Sequence, residues 1–133
     1  MRSRDLWEAY LRRVQCLGWK RPDAIAPFVV THSPPDRVPD GPLPYTFVTD
    51  GIESAVEQAT GAAAGRDVVL MGASMVQQCL RAGLLDEIIV NLVPVLLGDG
   101  VRLFEFGSSG YELVIESDIP APGVTHLTYR VVR

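Results

Sequence analysis

The stretch Val68-Val69-Leu70-Met71 is an apolar run that stops at Gly72, after which Ala73-Ser74-Met75-Val76-Gln77-Gln78-Cys79-Leu80 resumes with helical spacing. A strand that ends in a glycine and feeds a helix leaves several backbone N–H groups without partners at a positive dipole end. Anions bind at such ends. Gly72 and Ala73 are small enough for a diphosphate to approach the backbone, Ser74 adds a hydroxyl, and no acidic residue lies between Gly72 and Leu85. The same residues also suit a plain strand-to-helix turn that needs a glycine and a serine cap, and spacing alone favours that simpler reading. The pattern is neither a P-loop, whose lysine is missing, nor a GxGxxG fingerprint.

Other residue types offer less. Asp86 and Glu87 are adjacent carboxylates entering a strand, so they point to opposite faces and cannot share acid–base work. His126 lies in an alternating run in which His126, Thr128, Arg130 and Val132 share one face, as a half-exposed strand residue. His32 reads as an exposed turn residue. Ser33 and Ser108-Ser109-Gly110 have no histidine and acid arranged for a hydrolase triad. Cys16 and Cys79 are far apart, without CxxC or Cys/His spacing, which predicts reduced, packed thiols and no metal site. Trp7, Tyr10 and Trp19 are read as packing residues, and the catalytic residues stay unknown.

Elements must position these groups. Leu6, Tyr10, Leu11, Val14 and Leu17 recur at three- and four-residue intervals, predicting an amphipathic helix over Asp5 to Leu17 that ends at Gly18. Phe28-Val29-Val30-Thr31 and Tyr45-Thr46-Phe47-Val48 read as strands joined by a proline-rich loop, Pro34 to Pro44. A helix follows from Asp50 to Ala59, with Asp50 and Glu53 spaced as a capping pair. Val68 to Met71 is predicted as a strand and Ser74 to Ala82 as a helix stopped by Gly83. Ile88 to Val93 is the next strand. Such alternation predicts parallel strands with right-handed crossovers. Tyr111 to Glu116 and Thr125 to Val132 are expected to pair antiparallel across a loop at 118–123.

The whole chain bounds the function. Its 133 residues form a single expected domain, and 47% apolar with 21% charged residues is a globular composition. A net charge of -4 and a single lysine, Lys20, argue against a nucleic-acid surface. No stretch has the roughly 18 apolar residues that span a bilayer, and the start has no signal-peptide core. A cytoplasmic protein without membrane partners is expected.

The run Gly72-Ala73-Ser74-Met75-Val76-Gln77-Gln78-Cys79-Leu80-Arg81-Ala82-Gly83-Leu84-Leu85-Asp86-Glu87, followed by Pro94-Val95-Leu96-Leu97-Gly98-Asp99-Gly100-Val101-Arg102-Leu103-Phe104, resembles the C-terminal half of the dihydrofolate-reductase-like family. Within it, the similarity is to the branch of the riboflavin-biosynthesis reductase, the RibD C-terminal domain, from about Pro27 to Arg133. The resemblance implies a three-layer α/β/α fold with a mixed, mostly parallel sheet and an antiparallel C-terminal strand. It implies NADPH as cofactor, with the diphosphate at Gly72, Ala73, Ser74, Met75 and Val76. Thr31, His32 and Ser33 fall where the family holds the adenosine ribose and its 2'-phosphate. Ala73 stands where the family usually has a second glycine.

The family begins with two strands and a helix for which this sequence shows no counterpart, and its topology places the strand equivalent to Val68 to Met71 between those two. The expectation is therefore a contracted sheet. Val68 to Met71 would lie against Phe28 to Thr31 or Tyr45 to Val48 on one side and against Ile88 to Val93 on the other, with a homodimer covering the exposed apolar surface. The implied function is an NADPH-dependent reductase of a small heterocyclic or carbonyl substrate. The alternatives are a repurposed isomerase or cyclase acting on an apolar small molecule, and a non-catalytic binding module.

Overall fold

The computed structural model describes residues 27–38, 44–105 and 110–133. The predicted helix over Asp5 to Leu17, both tryptophans, Cys16 and the Ser108-Ser109 pair lie outside them.

Two short strands open the described chain, β1 (Phe28–Val30) and β2 (Thr46–Val48). They pair in parallel, Phe28 opposite Thr46 and Val30 opposite Val48. The ladder is extended at both ends: the Thr46 N–H donates to the Pro27 carbonyl and the Thr31 N–H to the Val48 carbonyl, each at 3.0 Å. Helix α1 (Ile52–Ala63) follows and buries Ile52 and Ala55, three residues apart on one face. Its N-cap is Gly51, and no side chain bonds to its first turn, so Asp50 and Glu53 do not form the expected capping pair. A left-handed Ala64 ends it, four residues beyond the expected end.

Helix α2 (Ala73–Arg81) begins after Gly72 and closes with a full Schellman motif. The Gly83 N–H donates to the Leu80 carbonyl at 3.1 Å and the Leu84 N–H to the Cys79 carbonyl at 2.9 Å. Gly83 has a φ of 68°, where a β-carbon is strained. This stop signal was legible in the sequence.

The remaining strands, β3 (Glu87–Leu92), β4 (Leu113–Ala121) and β5 (Val124–Val131), form an antiparallel sheet in the order β3-β5-β4. Two residues, Pro122 and Gly123, turn β4 into β5, and Ala121 pairs with Val124. The expected loop at 118–123 is therefore mostly strand. Pro120 misled the reading: β4 is the edge of this sheet, where a missing N–H costs no ladder bond. A bulge between Ile115 and Ser117 frees Glu116, whose carboxylate accepts from Arg130 Nε at 2.9 Å. One face of this sheet is packed. Leu80 of α2, Ile88 of β3 and Val131 of β5 form a buried cluster, with Val76, Leu85, Val90, Phe104 and Tyr129 around it.

The class is α/β with parallel and antiparallel pairing, as expected, but the expected single sheet is divided. Among the described residues β1 pairs only with β2, and β3 only with β5. Residues 68–71 belong to neither sheet, and Val69 is 63% exposed. The contracted sheet is thus not formed. Four apolar residues do not specify pairing by themselves, because a ladder needs a partner edge at about 5 Å, and among the described residues 68–71 pair with none. Helix α1 spans the division by packing on both β1 and α2.

Candidate functional site

The two turns singled out by the sequence differ in how they are built. Thr31 closes a local turn: its hydroxyl donates to the Ser33 carbonyl at 3.1 Å and accepts from the Ser33 N–H at 3.3 Å. This leaves the His32 and Ser33 side chains exposed at the end of β1. Because β1 and β2 are parallel, the turn lies beside the segment entering α1.

The second turn is open. Gly72 adopts φ 101° and ψ 139°, a conformation that a side chain rarely takes, and a β-carbon placed there would meet nothing within 4 Å. No side chain caps α2. The Val76 N–H donates to the Gly72 carbonyl at 3.1 Å, so the N–H groups of Ala73, Ser74 and Met75 are the ones left without intrahelical acceptors. Ser74 is not the cap. Its hydroxyl accepts from Gln78 Nε2 at 3.1 Å, one turn on, and retains its own proton to donate. Val76 packs against the buried cluster and anchors the start of the helix, while the three residues before it present donors.

Charge separates the two helix entrances. The first turn of α1 carries Glu53, preceded by Asp50, whereas the first turn of α2 carries no acid. Both expose a helix dipole, and only the second leaves it unopposed. Helix α1 packs against both β1 and α2, making it the element shared by the two candidate turns. No bond described here runs directly between Thr31–Ser33 and Gly72–Met75.

Two arrangements escaped the sequence reading. His126 Nδ1 lies 2.7 Å from Asn91 Oδ1, across the β3–β5 ladder where the two residues are opposite. The pairing of the two strands is the signal that would have found it. Gln77 and Arg81, one turn apart on α2, donate to the carbonyls of Leu103 at 3.0 Å and Glu105 at 2.8 Å, fixing the far end of the long loop after β3. Cys79 is fully buried, and burial, reinforced by Glu53, raises its thiol pKa above the ordinary value. It is a packing residue. No cluster of His, Cys, Asp and Glu among the described residues could hold a metal, and no helix among them is long and apolar enough to cross a membrane.

The described residues thus form an α/β fold with an open glycine turn at the entrance of α2. The sequence matches the RibD C-terminal domain over residues 15–114, and the chain belongs to that family. Its fold is similar to the crystal structure of a protein named for riboflavin biosynthesis from Shewanella sp. PV-4, with a TM-score of 0.73 and 22% identity, over 94% of this chain and 71% of that one. It is also similar to a pyrimidine reductase-like protein from Corynebacterium diphtheriae, with a TM-score of 0.50 and 20% identity, over 68% of this chain and 39% of that one. No curated protein matches the sequence.

Proposed function

We propose that the chain is an NADPH-dependent reductase domain acting on a small heterocyclic or carbonyl substrate, with the cofactor diphosphate at the entrance of α2. The observation that carries this reading is the uncapped, acid-free helix start, where Ala73, Ser74 and Met75 offer N–H donors beside a glycine that leaves the backbone uncovered. Ser74 adds a hydroxyl. Family membership supports reductase chemistry, and the pyrimidine reductase-like neighbour has the same fold. Thr31, His32 and Ser33 are the residues assigned to the adenosine ribose and its 2'-phosphate, with the local turn holding the His32 and Ser33 side chains outward. The bound cofactor would supply the hydride. The chain's own part is to hold the diphosphate and orient the nucleotide, since reductases of this kind gain much of their rate from positioning.

Fluorescence titration with NADPH tests the reading. Saturable binding is expected, and Ser74→Asp should weaken it about tenfold by placing a like charge against the diphosphate. The same substitution should stabilise the folded protein by about 0.3–1 kcal/mol, because a carboxylate favours a helix N-terminus. Weaker binding with an unharmed or firmer fold therefore separates lost recognition from lost structure. Absence of saturable NADPH binding by the wild-type protein would end the reductase reading.

A further inference from the structure

Three aspartates in the sequence are followed directly by glycine, in Asp40-Gly41, Asp50-Gly51 and Asp99-Gly100. The first pair lies outside the described residues. Such pairs are prone to cyclise, because glycine has no side chain to shield its nitrogen from the preceding carboxyl group. The two described pairs are held in opposite ways.

At the entrance of α1, Gly51 is half-buried, takes φ 107° and serves as N-cap, its carbonyl accepting from the Ala55 N–H at 3.2 Å. Ile52, the next residue, is buried. Rotating this peptide would break the first turn of the helix. Asp99-Gly100 carries no such restraint. Its loop leaves the antiparallel sheet at an apolar end, where Leu92 of β3 and Ile119 of β4 are each more than half exposed. Every residue from Val93 to Leu103 is exposed, and none lies in a helix or strand. The Gly100 N–H donates to Asp99 Oδ1 at 2.7 Å, so the nitrogen already lies beside the carboxyl group it would attack. A β-carbon built on Gly100 would meet nothing within 4 Å, which leaves room for a ring.

We propose that Asp99-Gly100 is a site of spontaneous succinimide formation, and that the isoaspartyl residue it yields is a substrate for a methyltransferase that esterifies isoaspartyl carboxylates with S-adenosylmethionine. In the first step the Gly100 nitrogen attacks the Asp99 side-chain carboxyl carbon in its acid form. The new C–N bond closes a five-membered ring, and the carboxyl OH leaves with the amide proton as water. Water then opens the ring. Addition at the side-chain carbonyl restores aspartate, whereas addition at the main-chain carbonyl gives isoaspartate, whose backbone runs through the side chain and is one carbon longer. Neither step consumes an oxidant or a reductant. The methyltransferase moves a methyl group from the sulfonium donor to the freed carboxylate, and loss of methanol from that ester re-forms the ring. An exposed loop can enter such an enzyme where a strand or helix cannot.

Peptide mapping of the folded protein after prolonged incubation at neutral pH and body temperature tests the proposal. The tryptic peptide ending at Arg102 should split into two species of equal mass, with electron-transfer fragmentation placing isoaspartate at position 99. Conversion there should exceed that at position 50 by at least about tenfold. Unfolding in urea should erase the contrast, because both pairs then sample similar backbone conformations. Asp99→Glu, whose ring would need six members, should stop the reaction, and Gly100→Val should slow it at least about tenfold by crowding the nitrogen. Gly100 has no positive φ and open space around it, so the circular dichroism spectrum of Gly100→Val should be unchanged. Incubated with the methyltransferase and labelled S-adenosylmethionine, aged wild-type protein should carry label in the peptide ending at Arg102. An unaltered Asp99 in the aged folded protein would overturn the proposal, as would equal conversion at positions 50 and 99. Isoaspartate at position 99 that takes no label would overturn its recognition by the methyltransferase.

Discussion

The two sheets face the same demand, pairing every buried backbone group, and meet it differently. In the antiparallel sheet, strands of six to nine residues are joined in part by a two-residue turn, and the packed face closes on α2 through Leu80, Ile88 and Val131. Only β4 and β5 are neighbours in sequence, and β3 reaches β5 from residues 87–92 to residues 125–130. The parallel pair has only three residues in each strand, separated in sequence by residues 31–45. Its continuation toward residues 68–71 is not formed among the described residues. Parallel strands need crossovers and neighbours on both sides, so a short parallel pair depends on what flanks it. Stability is expected to concentrate in the antiparallel half, and the proposed nucleotide cradle sits at its margin, on the helix that this half anchors.

The largest effect should come from Leu80→Ala, which empties the centre of the α2–β3–β5 cluster. A loss of about 2–5 kcal/mol in urea unfolding is expected. A loss below 1 kcal/mol would show that the two halves do not differ in this way. Gly83→Ala places a side chain at φ 68° and should cost about 1–2 kcal/mol by the same measurement, while leaving NADPH affinity unchanged because the entrance of α2 is untouched. Native-state hydrogen exchange sharpens the contrast directly. Amides of Leu127 to Tyr129 should exchange more slowly than those of Val29 and Val30, and equal protection would remove the distinction.

Alkaline titration reports on the junction between α1 and α2. The folded state holds the Cys79 proton more tightly than the unfolded chain, whose thiol titrates near the ordinary value of 9.0. This contribution is complete below that pH and declines as the pH rises through the folded value. The wild-type protein should thus lose stability above about pH 9 more steeply than Cys79→Ala. Parallel slopes would show that burial at this junction does not survive in solution. Smallest of all, Glu116→Gln should cost at most about 1 kcal/mol, since the ion pair with Arg130 is half exposed.

Local chemistry made much of this protein legible in its sequence. Glycine at 83 ends α2 because only that residue takes the left-handed conformation without strain, and the helical spacing from Ala73 to Leu80 places Val76 and Leu80 on the side that packs. The turn at Gly72 was readable for the same reason, together with its lack of acids, and the family resemblance rested on that same run. Pairing was another matter. Whether 68–71 joins a sheet, whether Pro120 lies in a strand, and whether His126 meets Asn91 depend on residues distant in sequence. An apolar run states that it must be buried or paired without naming its partner, so only the tertiary structure decided where the sheet divides and which apolar end stays exposed.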